Sequence, residues 1–314
     1  MPTVLITGGS GLIGKNLTSH LISKGYQVII LSRKPHTDIK NPQISHAVWN
    51  IQEQQIDLKA VAKADYIIHL AGAGVMDKRW TERYKKQIVE SRTKSSQLLI
   101  KALRENTNKV KVVVSASAIG WYGQNPFRSL SEVQEFTEVD RATTDFLGNT
   151  SRLWEESIEP VTSMGKRVVK LRLGIVLSND GGAFVEFKKP IRFGIAGILG
   201  NGKQILSWIH IDDICRMFIY AIENENLAGS YNAVSPEPVS NKELIIKTAE
   251  LKRNIFYIPV YVPTFFLKLI LGERSIEVLK GATVSCEKIK SEGFTFLYPS
   301  IDAALRQLTS APTP

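Results

Sequence analysis

Cysteine is scarce in this chain: among 314 residues only Cys215 and Cys286 carry thiols, far apart and with no metal-ligand spacing around them. A disulfide framework and a structural zinc site are not indicated, no metal is expected, and a reducing, cytoplasmic setting fits. No apolar run is long enough to cross a bilayer, which takes about 20 residues. The longest candidate, "IFYIPVYVPTFFLKLILG" at 255–272, is broken by Pro259, Pro263 and Lys268, and reads as a buried strand followed by a helix opened at Pro263. Nothing before the first apolar strand resembles a secretory leader, so none is expected. Internal repeats are missing, and low complexity is confined to the tail "TSAPTP". Acidic residues are fewer than basic ones, 30 against 40, a balance of +10 that suits an anionic partner. The basic residues are scattered, however, and their densest stretch, "DKRWTERYKK" at 77–86, interleaves them with acids and aromatics as a solvated helix face does. The expected partner is therefore a small-molecule substrate, with neither nucleic acid nor membrane, bound by a monomer or homodimer.

An apolar share of 43% supplies an ordinary globular core. "TVLIT" (3–7), "QVIIL" (27–31), "DYIIHL" (65–70), "KVVVSAS" (111–117) and "RVVKLRL" (167–173) read as strands, and helix-period segments such as 12–23 and 84–103 lie between several of them. Their apolarity is continuous rather than alternating, which requires cover on both faces. The fold class is thus α/β, a Rossmann-type doubly wound parallel sheet. After residue 235 the pattern changes: a helix with Asn241 as N-cap leads into a Pro-containing region. The expected division is a dinucleotide-binding domain over 1–235, with segments around 178–206 lining a substrate cleft, and a small α/β substrate domain over 236–314.

The strongest local signal is "TGGSGLIG" at 7–14, placed after the first strand and opening the first helix. Gly8, Gly9, Ser10, Gly11, Leu12, Ile13 and Gly14 are expected to cradle a pyrophosphate on backbone amides at the helix N-terminus. About 20 residues on, an acid would hold the ribose 2′-hydroxyl of NAD. This chain has Ser32, Arg33 and Lys34 instead, a hydroxyl and two cations that suit a 2′-phosphate, so the expected cofactor is NADP(H).

Together with "HLAGAG" (69–74), "SASAIGWYG" (115–123), "LRLGIVL" (171–177) and "WIHIDD" (208–213), the glycine motif resembles that of the extended short-chain dehydrogenases/reductases. "DKRWTERYKKQIVESR", "WIHIDDICRMFIYAIEN" and the C-terminal "NKEL", "LGERS" and "GFTFLYP" resemble more closely the atypical YfcH-like group of sugar-nucleotide epimerase family proteins. The resemblance spans nearly the whole chain. It implies cofactor contacts at Leu70, Ala71 and Gly72, and nicotinamide contacts at Leu173, Gly174 and Ile175. It also places the catalytic Ser or Thr at Ser117, with Ser115 second and open to a purely structural reading.

The same resemblance calls for a Tyr-x-x-x-Lys pair on the helix around 143–157, where residues four apart share a face. There the Lys lowers the phenol's pKa so that the Tyr can exchange a proton with substrate. "TTDFLGNTSRLWEES" offers Leu147 and Ser151, or in the neighbouring register Gly148 and Arg152; none of the nine tyrosines is followed four residues later by lysine. Tyr122 is the first substitute acid, Lys78, Arg79 and Arg152 are candidates for a substrate phosphate or carboxylate, and His210 is weaker, being flanked by isoleucines. Two functions follow: an NADP(H)-dependent oxidoreductase or epimerase acting on a small polar, nucleotide-sugar-like molecule, or a non-catalytic NADP(H)-binding sensor or scaffold.

Overall fold

In the computed structural model, which describes residues 1–34, 41–125 and 135–310, seven strands form one parallel sheet. They are β1 (Thr3–Thr7), β2 (Gln27–Ser32), β3 (Ile44–Asn50), β4 (Tyr66–His69), β5 (Val112–Ala118), β6 (Arg167–Leu173) and β7 (Gly229–Ala233). Their order is β7-β6-β5-β4-β1-β2-β3, with the short strand Gln55–Ile56 antiparallel at the β3 edge. The chain builds outward from β1 to β3 and restarts beside β1 with β4. That reversal opens a crevice beyond the carboxyl ends of β1 and β4.

The sheet is covered on both faces, which explains the unbroken apolar runs. On one face, Leu17 and Leu21 of α1 (Leu12–Ser23) and Ile214 and Phe218 of α4 (Ile211–Glu223) share a core with Val4, Ile6 and Val114. On the other, Leu98 and Leu99 of α2 (Glu82–Glu105) and Ile158 of α3 (Phe146–Ile158) pack on Leu5, Ile67 and Val113. Thr81 caps α2 by accepting from the Tyr84 amide, and starts it two residues earlier than its apolar period implies. Asp145 caps α3 at the Gly148 amide.

Beyond the sheet, the helix Ala183–Ile191 and the strand Ile195–Leu199 join α5 (Asn241–Arg253), β8 (Ile258–Val262) and α6 (Thr264–Leu271). Ile195–Leu199 pairs in parallel with β8. Two expectations are corrected here. The cap of α5 is Ser240, whose hydroxyl accepts from the Glu243 amide; Asn241 is already helical, and its Oδ1 instead accepts from the Leu199 amide at 2.9 Å. The 255–272 segment does form a strand and a helix after Pro263, but the strand is exposed along most of its length, and Leu267 alone in α6 is buried. An apolar run therefore did not mean a core run.

Gly14 holds α1 against the first turn: a Cβ there would lie 2.5 Å from both Gly8 O and Gly9 Cα. These are backbone atoms that no rotamer change can move. Gly14→Ala is expected to lower stability by about 1–3 kcal/mol, read as a lower urea midpoint at unchanged slope.

Candidate functional site

At the end of β1 the chain turns through Gly8 at φ +70, and a Cβ at this position would come 2.9 Å from the Leu70 carbonyl. Only glycine lets the first turn pass so close to the end of β4. Gly11 then precedes α1 without any side-chain cap, so the first-turn amides, including those of Leu12, Ile13 and Gly14, lack intrahelical partners. This is the arrangement that binds a phosphate at a helix N-terminus.

The crevice is braced from below by Thr7. Its Oγ1 accepts from the amides of Leu70 (3.1 Å) and Ala71 (3.2 Å) and donates to His69 Nδ1 at 2.7 Å. His69 Nε2 is then the protonated nitrogen, facing the hydroxyls of Ser95 (3.2 Å) and Ser96 (3.3 Å) on α2. Burial, aided by the Arg92 charge, pushes the pKa of this histidine down to about 3, so it stays neutral. Arg92 itself is held by the carbonyls of Ala73 and Ile88 and lies over the Trp154 ring at 4.7 Å. Its guanidinium carbon would be 3.0 Å from a Cβ at Gly72.

Toward β2 and β3 the crevice opens into a cavity of about 550 Å³ lined by Arg33, the segment Trp49–Gln52, and Arg83, Lys86, Gln87, Glu90 and Ser91 of α2. Glu90 is engaged by Lys86 and Lys94. Ser32 donates to the Lys34 carbonyl, and Arg33 and Lys34 are exposed. Arg83 and Lys86 went unrecognised in the sequence because their stretch reads as a solvated face. At the opposite end, Gly174 donates to the Ala233 carbonyl and Ile175 to that of Ser207, fixing the backbone after Leu173. The chain then returns over the glycine turn: Asn16 Nδ2 donates to Asp180 at 3.2 Å, and Gly182 lies against Leu12. Gly8 through Gly14, Ser32 to Lys34, Leu70 to Gly72 and Leu173 to Ile175 thus all stand at the carboxyl ends of the parallel strands.

The proposed catalytic residues lie in a buried polar cluster. Ser117 is 2% exposed and donates to Glu155 Oε1 at 2.7 Å. Arg172 grips the same carboxylate with Nε at 2.7 Å and Nη2 at 3.0 Å, and Ser230 of β7 donates to it at 2.9 Å. Arg172 also stacks on Trp121, 3.7 Å from the ring centroid, and donates to the Tyr122 hydroxyl at 2.9 Å. Burial alone would lower the guanidinium pKa, but Glu155 holds it above its ordinary value. Tyr122 gives its own proton to Asn232 Oδ1 at 2.6 Å; burial pushes its pKa up to about 12, with Arg172 opposing. Both hydroxyls are thus committed inside the protein. Leu147 and Ser151, the first of the two registers considered for the dyad, flank Gly120, and Glu155 follows one turn later on the same face.

Other candidates disperse. Ser115 is buried and bonded to the Ala116 carbonyl. His210 is a core residue: its Nδ1 caps α4 at the Asp212 amide, and its Nε2 meets Gln307. Arg152 pairs with Glu156 on the surface. Lys78 is exposed, and Arg79 bonds the Leu269 carbonyl of α6 rather than facing the crevice. Glu155 and Arg172 were missed, although an arginine inside a strand covered on both faces demands a buried acid. Lys280 was also missed; it pairs with Asp145 at 3.3 Å and Glu277 at 2.8 Å beside the start of α3.

Residues 4–146 match the NAD dependent epimerase/dehydratase family, and 262–308 match a domain of unknown function, DUF1731. The chain is 35% identical to the epimerase family protein YfhF of Bacillus subtilis over 97% of both chains. It is 33% identical to a Staphylococcus saprophyticus epimerase family protein over 98% of this chain and 99% of that one. Among solved structures, human epimerase family protein SDR39U1 with NADPH superposes with a TM-score of 0.84 at 29% identity, covering 98% and 99% of the two chains. A nucleoside-diphosphate sugar epimerase from Corynebacterium glutamicum gives 0.76 at 29% identity, over 98% of this chain and 58% of that one.

Glu155→Ala would strand the Arg172 charge in a buried site and is expected to cost about 3–5 kcal/mol, against about 1–2 for Ser117→Ala, both read by urea denaturation. His69 yields a pH dependence of definite sign. Its folded pKa, about 3, lies below the ordinary imidazole value of 6.5, so its contribution is complete above the higher value and is lost as pH falls toward the lower. Each pH unit in that window costs about 1.4 kcal/mol, and His69→Gln is expected to flatten this part of the stability profile.

Proposed function

This chain is a member of the NAD-dependent epimerase/dehydratase family with a DUF1731 C-terminus, and from that premise we propose that it is an NADP(H)-dependent oxidoreductase or epimerase acting in the cytoplasm on a small polar, nucleotide-sugar-like molecule. The observation that carries the reading is the union of the glycine cradle with the adjoining cavity where Arg33, Arg83 and Lys86 converge and β2 ends without an acid. Two geometric facts support the fit of a dinucleotide. Gly8 and Gly14 draw the turn tightly against the end of β4 and the start of α1, and α1 begins uncapped, so its first-turn amides are left for an anion. The 2′-phosphate belongs at Arg33 with Arg83 and Lys86, the pyrophosphate at 8–14, and the nicotinamide beside Leu173–Ile175. Bound there, the cofactor supplies a carbon that gives or accepts hydride.

The chain's own part is binding, orientation and exclusion of water. Ser117 and Tyr122 act as positioning residues through the Arg172–Glu155 pair, which sets the segment 119–122 against α3. With Leu147 in place of the phenol, the proton exchanged with a substrate hydroxyl is left to water or to the Ser151 hydroxyl. One observation favours a second reading, NADP(H) binding without turnover: neither Leu147 and Ser151 nor Gly148 and Arg152 supply the dyad, and Ser117 is bonded to Glu155.

Titration is expected to show NADPH binding tighter than NADH, with Arg33→Ala weakening NADPH by about tenfold and leaving NADH unchanged. Equal affinities would overturn the cofactor assignment. Stopped-flow absorbance of the NADPH-loaded protein against carbonyl compounds and nucleotide sugars then separates the two readings. Substrate-dependent loss of the NADPH signal supports the enzyme; tight binding with no loss across the panel supports the binding protein.

A further inference from the structure

Away from the crevice, the molecule displays a broad apolar surface that no described residue covers. On α6, Phe265, Phe266, Leu269 and Ile270 are 69%, 51%, 61% and 64% exposed, and their spacing places them on one outward stripe. β8 adds Ile258 at 69%, and its partner segment adds Phe193 at 82%. These parts are contiguous: Ile258 N donates to Gly194 O at 2.8 Å, and Gly200 N to Val262 O at 2.9 Å. Scattered apolar side chains need no explanation, whereas a joined patch of this kind does.

The charge on the segments that form the patch has one sign, with the acids Glu250 and Glu273 standing just outside them. Residues 187–204 and 251–272, which supply both paired strands and α6, contain no Asp or Glu. Arg192, Lys252, Arg253 and Lys268 are exposed, and none of them forms an ion pair among the described residues. Arg253 reaches toward Gly194 at the foot of the patch, within 3.6 Å of a Cβ built there. Lys188 lies close enough to Lys252 that, after burial, this second cation is the next influence lowering its pKa.

We propose that this face docks on an anionic lipid surface, with the α6 stripe and Phe193 seated among the acyl chains and the surrounding cations against the headgroups. A second copy fits the face less well. Two such surfaces would bring like charges together, and Pro259 deprives the edge strand β8 of an amide for pairing. No helix among the described residues is long and apolar enough to span a bilayer, so the attachment is peripheral. The inference is independent of the cofactor reading, because no residue of the patch lines the crevice.

The test is flotation of the full chain with vesicles of phosphatidylcholine alone or mixed with phosphatidylglycerol, together with sedimentation velocity across protein concentrations. The expected result is partition onto the mixed vesicles only, weakened by salt, reduced about fivefold by Lys268→Glu and more than about tenfold by Phe265→Glu/Phe266→Glu. The variants should keep the far-ultraviolet circular dichroism and NADPH affinity of the parent, since the substituted side chains are exposed. Absence of partition onto mixed vesicles overturns the proposal, as does equal partition onto neutral ones. Concentration-dependent self-association abolished by the double Phe variant, without vesicle binding, would assign the face to a second copy instead.

Discussion

A carboxylate removed from water must be answered by donors, and Glu155 is answered by four hydrogen bonds from Ser117, Arg172 and Ser230. Those partners come from three neighbouring strands, β5, β6 and β7, while the acid comes from α3. One charge therefore fixes the helix at a set height over three strands. Arg172 extends the constraint through Trp121 and Tyr122 to Asn232, whose amide nitrogen meets the Ser285 carbonyl from the C-terminal part of the chain. Such pairs are weak sources of net stability against a well-packed apolar alternative. What this one supplies is registry among elements far apart in sequence.

That registry bears on the chemistry of the crevice. The glycine cradle and its cationic cavity are built from β1, β4, α1, α2 and the segments at the ends of β2 and β3, and Glu155 lines neither. The region where a family dyad would sit is built differently, around a salt bridge one helical turn deeper. The glycine-rich half of the crevice thus carries the motif of the family, and the other half is a structural joint. Thr7 and His69 complete the division of labour, because a neutral, fully bonded imidazole braces the crevice without placing a charge beneath the glycine turn.

Legibility in the sequence followed the range of the interactions. β1, β6 and α1 were readable to the residue because their apolar periods are local, and the cradle was readable because all of it lies within eight consecutive residues. β3 and β7 went unread: "ISHAVWN" and "GSYNA" carry polar side chains where a core strand is expected. In β7 the cause is plain, since Ser230 and Asn232 serve the buried cluster. The ion pair could not be seen as a pair, because its members lie 17 residues apart on different elements. The 255–272 segment failed in the opposite way. Its composition announced burial, and only its placement at the rim of the fold exposed it.

The position of Glu155 also decides what a Tyr-x-x-x-Lys pair would meet on this helix. A tyrosine and a lysine written back at 147 and 151 would restore the motif on paper. The lysine would stand one turn from Glu155 on the same helix face, within reach of a carboxylate already gripped by Arg172. Two buried cations would then compete for one acid, and one of them would be left without a counterion. The Arg172–Glu155 pair and a Tyr-x-x-x-Lys pair in this register are thus alternative occupants of one helix face.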